Sequence, residues 1–535
     1  RLAKPIPERM NVMNPIGHQI GSGCGCCGVS RRGFIAGCAA CAAGAAGLVP
    51  SLAEAADSGR SDKARVRLVF SHTSSTGPIW PFQGFDFEPR KKEIAEGLKR
   101  LCPNIEFLPA TAMNAGDANK LLADDKKLNI DGYIVCLEAC WAGVPAAIMA
   151  AGKPTLLVDD LYQGSGEWLI QNAAARRQKL KVAGISTSRI EDVADAARCF
   201  EILKNPGGTN DAFLAAVNAS RKRNTKPTGD MTCAADPVKA ADVGDCLKRL
   251  KDSTILVIGG HWPDTPKAIQ EVLGIKVVAT DFKELQTAYL NADLADAKKR
   301  ADRWIGEAEK VIEPKRDEVE RSAAMYLAMQ EVMKRHNARA ISINCLGGFY
   351  GGHLKAYPCL GFRQFNDDGL VGGCEGDLRS AATMVILGHL LDRPGFISDP
   401  VIDTSKNQII YAHCVGPTKV FGPQGPSNPF HIRSHSEDRK GAAIRAILPL
   451  DRLVSTLEFN ASTKQVIFHQ GKAVENVDDD RACRTKLAVE VKGDIEKLMN
   501  EWDQWGWHRV TVYGDVREPV TELAKALGMK MVEEA

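Results

Sequence analysis

The segment Cys374-Glu375-Gly376-Asp377-Leu378 places two carboxylates two positions apart, just after the turn Gly372-Gly373. Asn366-Asp367-Asp368-Gly369 precedes it and His413-Cys414 follows it. Carboxylates beside imidazoles are the groups that a hard divalent cation or a proton-transfer site needs. On an extended strand, residues i and i+2 point the same way. Glu375 and Asp377 would then face one cavity, where two like charges call for a cation or a shared proton. The plainer expectation is that the pair opens the helix expected over residues 379–391 and caps its free amides. The residues alone leave both open.

Seven further positions bear on binding. His413 ends the strand-like run Ile409-Ile410-Tyr411-Ala412, where a histidine is also a common structural group. His431 and His435 flank Arg433 in a polar loop, suited to sugar hydroxyls or to simple solvation. His508 lies between Trp507 and a strand near Tyr513-Gly514-Asp515. Trp502, Trp505 and Trp507 offer a stacking platform for a sugar ring, or packing between a helix and its neighbours.

The elements that position these groups begin with Val66-Arg67-Leu68-Val69-Phe70, a strand, followed by a long aromatic-rich loop and a helix over residues 90–101. Ile105-Glu106-Phe107-Leu108, Tyr133-Ile134-Val135 and Thr155-Leu156-Leu157-Val158 are further strands. Short apolar strands alternating with helices indicate an α/β fold with a parallel sheet. Loops after such strands often carry ligand groups, and His72 and Glu138 occupy such places. Residues 221–232 are basic and polar and read as a linker. A second α/β unit starts at Thr254-Ile255-Leu256-Val257-Ile258-Gly259-Gly260, without a phosphate-loop lysine, and continues through strands at 277–279 and 341–343. Residues 295–336 are helical, interrupted by Pro314. The last third is different: 454–459 and 465–469 form a hairpin and 486–491 another alternating strand, the pattern of an appended β-rich domain or barrel. The divisions are 1–57, 58–225, 233–364 and 365–535.

Bulk composition narrows the function classes. The 535 residues suffice for several domains. Net charge is +3 and no long basic run occurs, which argues against a nucleic-acid partner. Beyond the N-terminus no apolar run reaches spanning length, so no stable membrane insertion is expected. Ser30-Arg31-Arg32-Gly33-Phe34-Ile35, an Ala/Gly-rich apolar run and Ala53-Glu54-Ala55 resemble a twin-arginine export signal with its cleavage site, which implies a periplasmic or extracytoplasmic location. Five of the 16 cysteines fall within residues 1–57; the other eleven are widely spaced without a Cys-x-x-Cys, so neither a disulfide framework nor a zinc ribbon is expected.

The order Pro358-Cys359, Asn366-Asp367-Asp368-Gly369, Cys374-Glu375-Gly376-Asp377, His413-Cys414, Cys483-Arg484-Thr485 and His508 with Tyr513-Gly514-Asp515 resembles the L-fucose/L-arabinose isomerase family, in its shorter L-fucose isomerase-like branch. The resemblance implies two Rossmann-like (flavodoxin-like) α/β domains followed by a C-terminal β-barrel-containing domain. It also implies a homo-oligomeric aldose–ketose isomerase that uses Mn²⁺, or another divalent cation such as Mg²⁺, on a monosaccharide. Asp377 and Glu375 would be catalytic; Glu375, Asp377 and His508 would hold the metal; His413, His431 and Trp507 would contact sugar. A second metal acid of that family has no matching residue, and Asp367 or Asp368 are the nearest substitutes. The alternative is an exported carbohydrate-binding protein that keeps the fold without the chemistry.

Overall fold

The computed structural model describes residues 63–535, so the twin-arginine pattern lies outside the described residues. The first sheet contains β1 (Ala64–Ser71), β2 (Ile105–Ala112), β3 (Gly132–Leu137), β4 (Thr155–Asp159) and β5 (Val182–Ser186). They are all parallel, in the order β2-β1-β3-β4-β5. Strands β3, β4 and β5 are buried along their whole length, as expected where helices cover both faces of a parallel sheet.

The second sheet is built from β6 (Thr254–Ile258), β7 (Lys276–Thr280), β9 (Ala340–Ile343) and β10 (Val371–Gly373), again parallel, in the order β10-β9-β6-β7. The short β8 (Lys310–Val311) separates the helices Leu294–Glu307 and Arg316–Arg335, which share the expected helical stretch. Met325, Met329 and Val332 are buried there as the spacing predicts. The second α/β unit runs past 364, because β10 belongs to its sheet. Val-Gly-Gly carries no apolar run to announce a strand, and glycine is required: a Cβ on Gly372 would lie 2.5 Å from the Cα of Phe362.

The C-terminal domain contains a closed six-stranded barrel. Its strands are β11 (Phe396–Asp403), β12 (Gln408–His413), β15 (Arg452–Asn460), β16 (Gln465–Asn476), β17 (Thr485–Lys492) and β18 (Arg509–Tyr513). The order β15-β18-β11-β12-β17-β16 closes through the β15–β16 hairpin. Closure leaves no free edge among these six. β13 (Phe430–Arg433) and β14 (Ala443–Ala446) form a small sheet with β8, and β19 (Lys530–Glu533) adds in parallel to β16. Two Rossmann-like domains followed by a barrel-containing domain are thus the architecture.

The chain's end is fixed by a buried pair. The Arg509 guanidinium meets Glu534 at 2.7 Å, and His469 meets the same carboxylate at 3.0 Å. Arg509 is 0% and Glu534 1% exposed. Burial pushes the Glu534 carboxyl up, but Arg509 and His469 outweigh it and hold it down at about 2. A depressed carboxyl stabilises the fold above its unfolded value, and that contribution fades as pH falls through the folded one. Replacing Glu534 by Gln leaves Arg509 buried without its counter-charge. The expected loss is about 3–5 kcal/mol at pH 7. In urea titrations the gap to the native chain should narrow as pH falls from about 4.5 toward 2; a gap independent of pH would refute the pairing.

Candidate active site

Three adjacent barrel strands bring together the donors of one cluster. β11 carries Asp399, β12 ends on His413, and β18 starts just after His508. Ser398 pairs with Arg509, and extending that antiparallel register by one residue sets His508 opposite Asp399. Asp399 itself pairs with Ala412, the neighbour of His413. The ligand atoms of Asp399, His413 and His508 all lie within 4.8 Å of one another, and all three residues are buried. A second such group, Cys374, Glu375 and His413, shares His413.

Glu375 reaches the cluster on the turn that follows β10. Its φ is 62° and that of Gly376 is 66°, so this is a left-handed turn and not a strand. The i, i+2 argument for a shared face therefore does not apply. Trp262, after β6, holds the turn: its indole N–H donates to the Glu375 carbonyl at 2.9 Å, and its backbone N–H donates to the Gly376 carbonyl at 3.1 Å. The Trp262 ring also lies 5.4 Å from the His508 ring.

Asp377 is both a helix cap and part of the site. It is the N-cap of the helix Leu378–Leu391 and accepts from the Ser380 N–H at 2.9 Å and hydroxyl at 2.8 Å. It also meets His508 Nδ1 at 2.9 Å. Nε2 of the same ring lies 3.2 Å from Asp399 Oδ1, and Trp507 donates to that oxygen at 2.6 Å. Burial disfavours a charged His508, but the bonds to Asp377 and Asp399 and the charge of Glu375 raise its pKa well above the ordinary value. Asp377 and Asp399 are correspondingly held below the usual carboxylate range: burial opposes this, and His508 outweighs it.

His413 is in the opposite condition. Neither ring nitrogen has a hydrogen-bond partner, although Nε2 lies 3.5 Å from Glu375 Oε1. A buried polar group left unpaired costs about 1–3 kcal/mol. An unpaired imidazole among carboxylates is the form a metal ligand takes before the ion arrives. Imidazole and carboxylate donors together are able to hold a divalent cation.

The structure sorts the residues expected from sequence. Glu375, Asp377, His413, Trp507 and His508 converge. His431 does not: it sits on β13, where its Nε2 faces Glu309 at 3.5 Å. Asp367 binds the amides of Thr418 and Lys419 at 2.7 and 2.8 Å, a structural role. Asp399, which the sequence did not offer because Ser398-Asp399-Pro400 reads as a turn, joins His413 and His508 in the cluster. The oxygens of Asp377 accept from Ser380 and meet His508. Trp502 and Trp505 are buried packing, whereas Trp507 pairs with the half-exposed Trp141 at 5.0 Å. Trp141 has φ 68° on the loop after β3, and a lone tryptophan there gave no signal.

Asparagine is as good an N-cap as aspartate. Asp377→Asn should therefore keep the helix but lower the thermal midpoint, because the buried His508 loses a counter-charge, and should loosen divalent-metal affinity by about 10–100-fold through the mis-set imidazole. Asp399→Asn, which removes a donor of the cluster, should abolish stoichiometric metal. Metal titration by mass spectrometry and calorimetry checks this; equal losses in both variants would contradict the division of roles.

No family model matches the chain. It is 26% identical over 323 residues to the sulfoquinovose isomerase of Alkalicoccus urumqiensis, covering 54% of this chain and 67% of that protein. It is 25% identical over 301 residues to the sulfoquinovose isomerases of Priestia aryabhattai and Priestia megaterium, covering 53% of this chain and 65% of each. The aligned stretch thus spans about two thirds of the length of these curated relatives. The relationship is distant and does not single out the fucose or arabinose enzymes: the chain is a remote homologue of sugar isomerases with a cluster of groups able to hold a divalent metal.

Proposed function

We propose that this protein is a divalent-metal-dependent aldose–ketose isomerase acting on a monosaccharide. The observation that carries the reading is the convergence of Asp399, His413 and His508 beside Glu375. Asp399, His413 and His508 would hold the cation, with Asp377 fixing the His508 tautomer. When bound, a divalent cation supplies Lewis acidity at two neighbouring sugar oxygens. Glu375 is the carboxylate of the cluster with open access, its side chain 23% exposed against 2% for Asp377 and 7% for Asp399. It is the group positioned to carry a proton between C1 and C2 of the sugar. Trp507 and Trp141 form an apolar wall against which a sugar ring packs. The names of the distant relatives put sulfoquinovose first among the sugars to test, ahead of fucose and arabinose.

Purified protein loaded with Mn²⁺ should convert at least one aldose of such a panel to its ketose, followed by NMR. Glu375→Gln should lower turnover by about 10²–10⁴-fold while metal content stays at the native level. Metal and sugar binding without conversion of any aldose would instead favour a carbohydrate-binding protein.

Export is a separate proposal. The Arg31-Arg32 pattern with its apolar run and Ala53-Glu54-Ala55 supports translocation by the twin-arginine route. Residues 1–57 fused to a reporter should carry it across a bacterial inner membrane, and Lys at both arginines should stop transport. A reporter retained in the cytoplasm with the arginines intact would refute the signal.

A further inference from the structure

The sulfurs of Cys345 and Cys374 lie 3.2 Å apart, and both residues are buried. All eleven cysteines of the described residues are free, these two among them. The sheet sets the contact. β9 and β10 are parallel neighbours with Gly373 opposite Ser342, so Cys374 and Cys345 leave the same end of adjacent strands. The backbone is held on either side. The Gly376 N–H donates to the Ile343 carbonyl at 2.8 Å. Asn344 caps the helix Cys345–Tyr350, accepting from the Gly347 N–H at 3.1 Å and donating to the Gly259 carbonyl at 3.0 Å. Two sulfurs in a disulfide stand about 2.05 Å apart. Closing this pair takes about 1 Å of movement along a contact that the fold already makes.

Cys374 is the residue from which the Glu375 turn starts. Glu375 holds a left-handed φ of 62°, a conformation that in a non-glycine residue is kept by its surroundings and not by local preference. Trp262 ties the turn from one side through the Glu375 and Gly376 carbonyls. The thiol contact with Cys345 holds it from the other. The Cys374 sulfur also lies within 4.8 Å of a Glu375 carboxylate oxygen and a His413 ring nitrogen. A covalent bond would draw that sulfur toward Cys345 and stiffen the start of the turn. We propose that Cys345 and Cys374 form a redox-sensitive cross-link that locks the Glu375 turn, the dithiol being the working form and the disulfide the restrained one. The link itself does not depend on the isomerase reading; its effect on turnover rests on that reading.

The oxidant is a small disulfide, and the chemistry is exchange. The Cys374 sulfur, next to the partly exposed Glu375, attacks one sulfur of the small disulfide. A mixed disulfide forms and the first small thiol leaves with the proton of Cys374. Cys345 then attacks the Cys374 sulfur, and the second small thiol leaves with the proton of Cys345. Two protein thiols are oxidised to one disulfide, and the small disulfide is reduced to two thiols. The bond to Cys345 and burial push the Cys374 thiol well above its ordinary value, so the exchange is slow near neutral pH. Slow exchange suits a link that follows the redox state of the surroundings and not a single encounter.

Equilibrating the full chain in mixtures of reduced and oxidised glutathione, with peptides read by mass spectrometry, tests this. The expected product is a Cys345–Cys374 peptide pair lighter by two hydrogens than the free thiols. Backbone hydrogen exchange over residues 374–377 should slow about tenfold in the linked form and recover with dithiothreitol. Mn²⁺-loaded protein should convert its aldose about tenfold more slowly when linked. Cys345→Ala should form no such link and show neither change. Absence of the link at every glutathione ratio overturns the proposal, and so does a link between other cysteines in its place. A link that leaves the exchange unchanged, or the turnover unchanged in an active enzyme, overturns it too. If neither form converts any aldose, the isomerase reading fails and hydrogen exchange alone decides the cross-link. Should Cys345→Ala not fold, Cys345→Ser replaces it.

Discussion

His508 is bonded at both ring nitrogens to carboxylates from different parts of the chain. Asp377 caps a helix that packs with the second sheet, and Asp399 belongs to the barrel. One imidazole thereby fastens the second α/β domain to the barrel and fixes its own orientation. Such a bridge is stable only with charge in balance. Three carboxylates, Glu375, Asp377 and Asp399, crowd two imidazoles and raise the pKa of both against the opposing effect of burial. A divalent cation held there would compete with protons for the same ring nitrogens.

The tryptophans support the site from two sides. Trp262 supports the Glu375 turn and lies against His508, while Trp507 donates to Asp399 and meets Trp141. Their ring faces exclude water, so charges inside act on one another more strongly than they would in solvent. The indole N–H groups of Trp262 and Trp507 are spent on holding the site. On the proposed reading, a sugar would meet their apolar ring surface with its C–H faces. Glu375, the partly exposed acid, lies where that wall opens.

The readable parts of the sequence were those where one physical signal acted alone. Buried parallel strands appear as apolar runs, so β1, β3, β4 and β6 stood out. The β15–β16 hairpin did so because two alternating runs flank a short polar loop. The unreadable parts were places where two demands share one residue. Val371-Gly372-Gly373 is a strand whose glycines answer a close approach to Phe362. Asp399 sits in a strand beside Pro400, whose type suggests a turn. Asp377 was legible as a cap and as a site residue; it caps the helix and also bonds His508. Glu375 was found as a residue but misjudged in conformation, because an unfavourable left-handed φ in a non-glycine residue is set by its surroundings and leaves no local trace. His431 carried the right side chain on the wrong sheet, a matter of topology that no local pattern reports.

Barrel closure explains why a cluster drawn from residues so far apart in sequence can be exact in space. Asp399, His413 and His508 lie on neighbouring strands, and hydrogen-bond register fixes their relative heights. A slip of one residue between β11 and β18 would turn every side chain of one strand to the opposite face. It would part His508 from Asp399 and bury polar groups where Ile397 and Val510 now pack. The apolar alternation that gives the barrel its core therefore also sets the spacing of the donors. A relative can change most of its sequence, keep that alternation, and still deliver two imidazoles and a carboxylate to the same point. Identity near 26% is compatible with a shared fold for that reason.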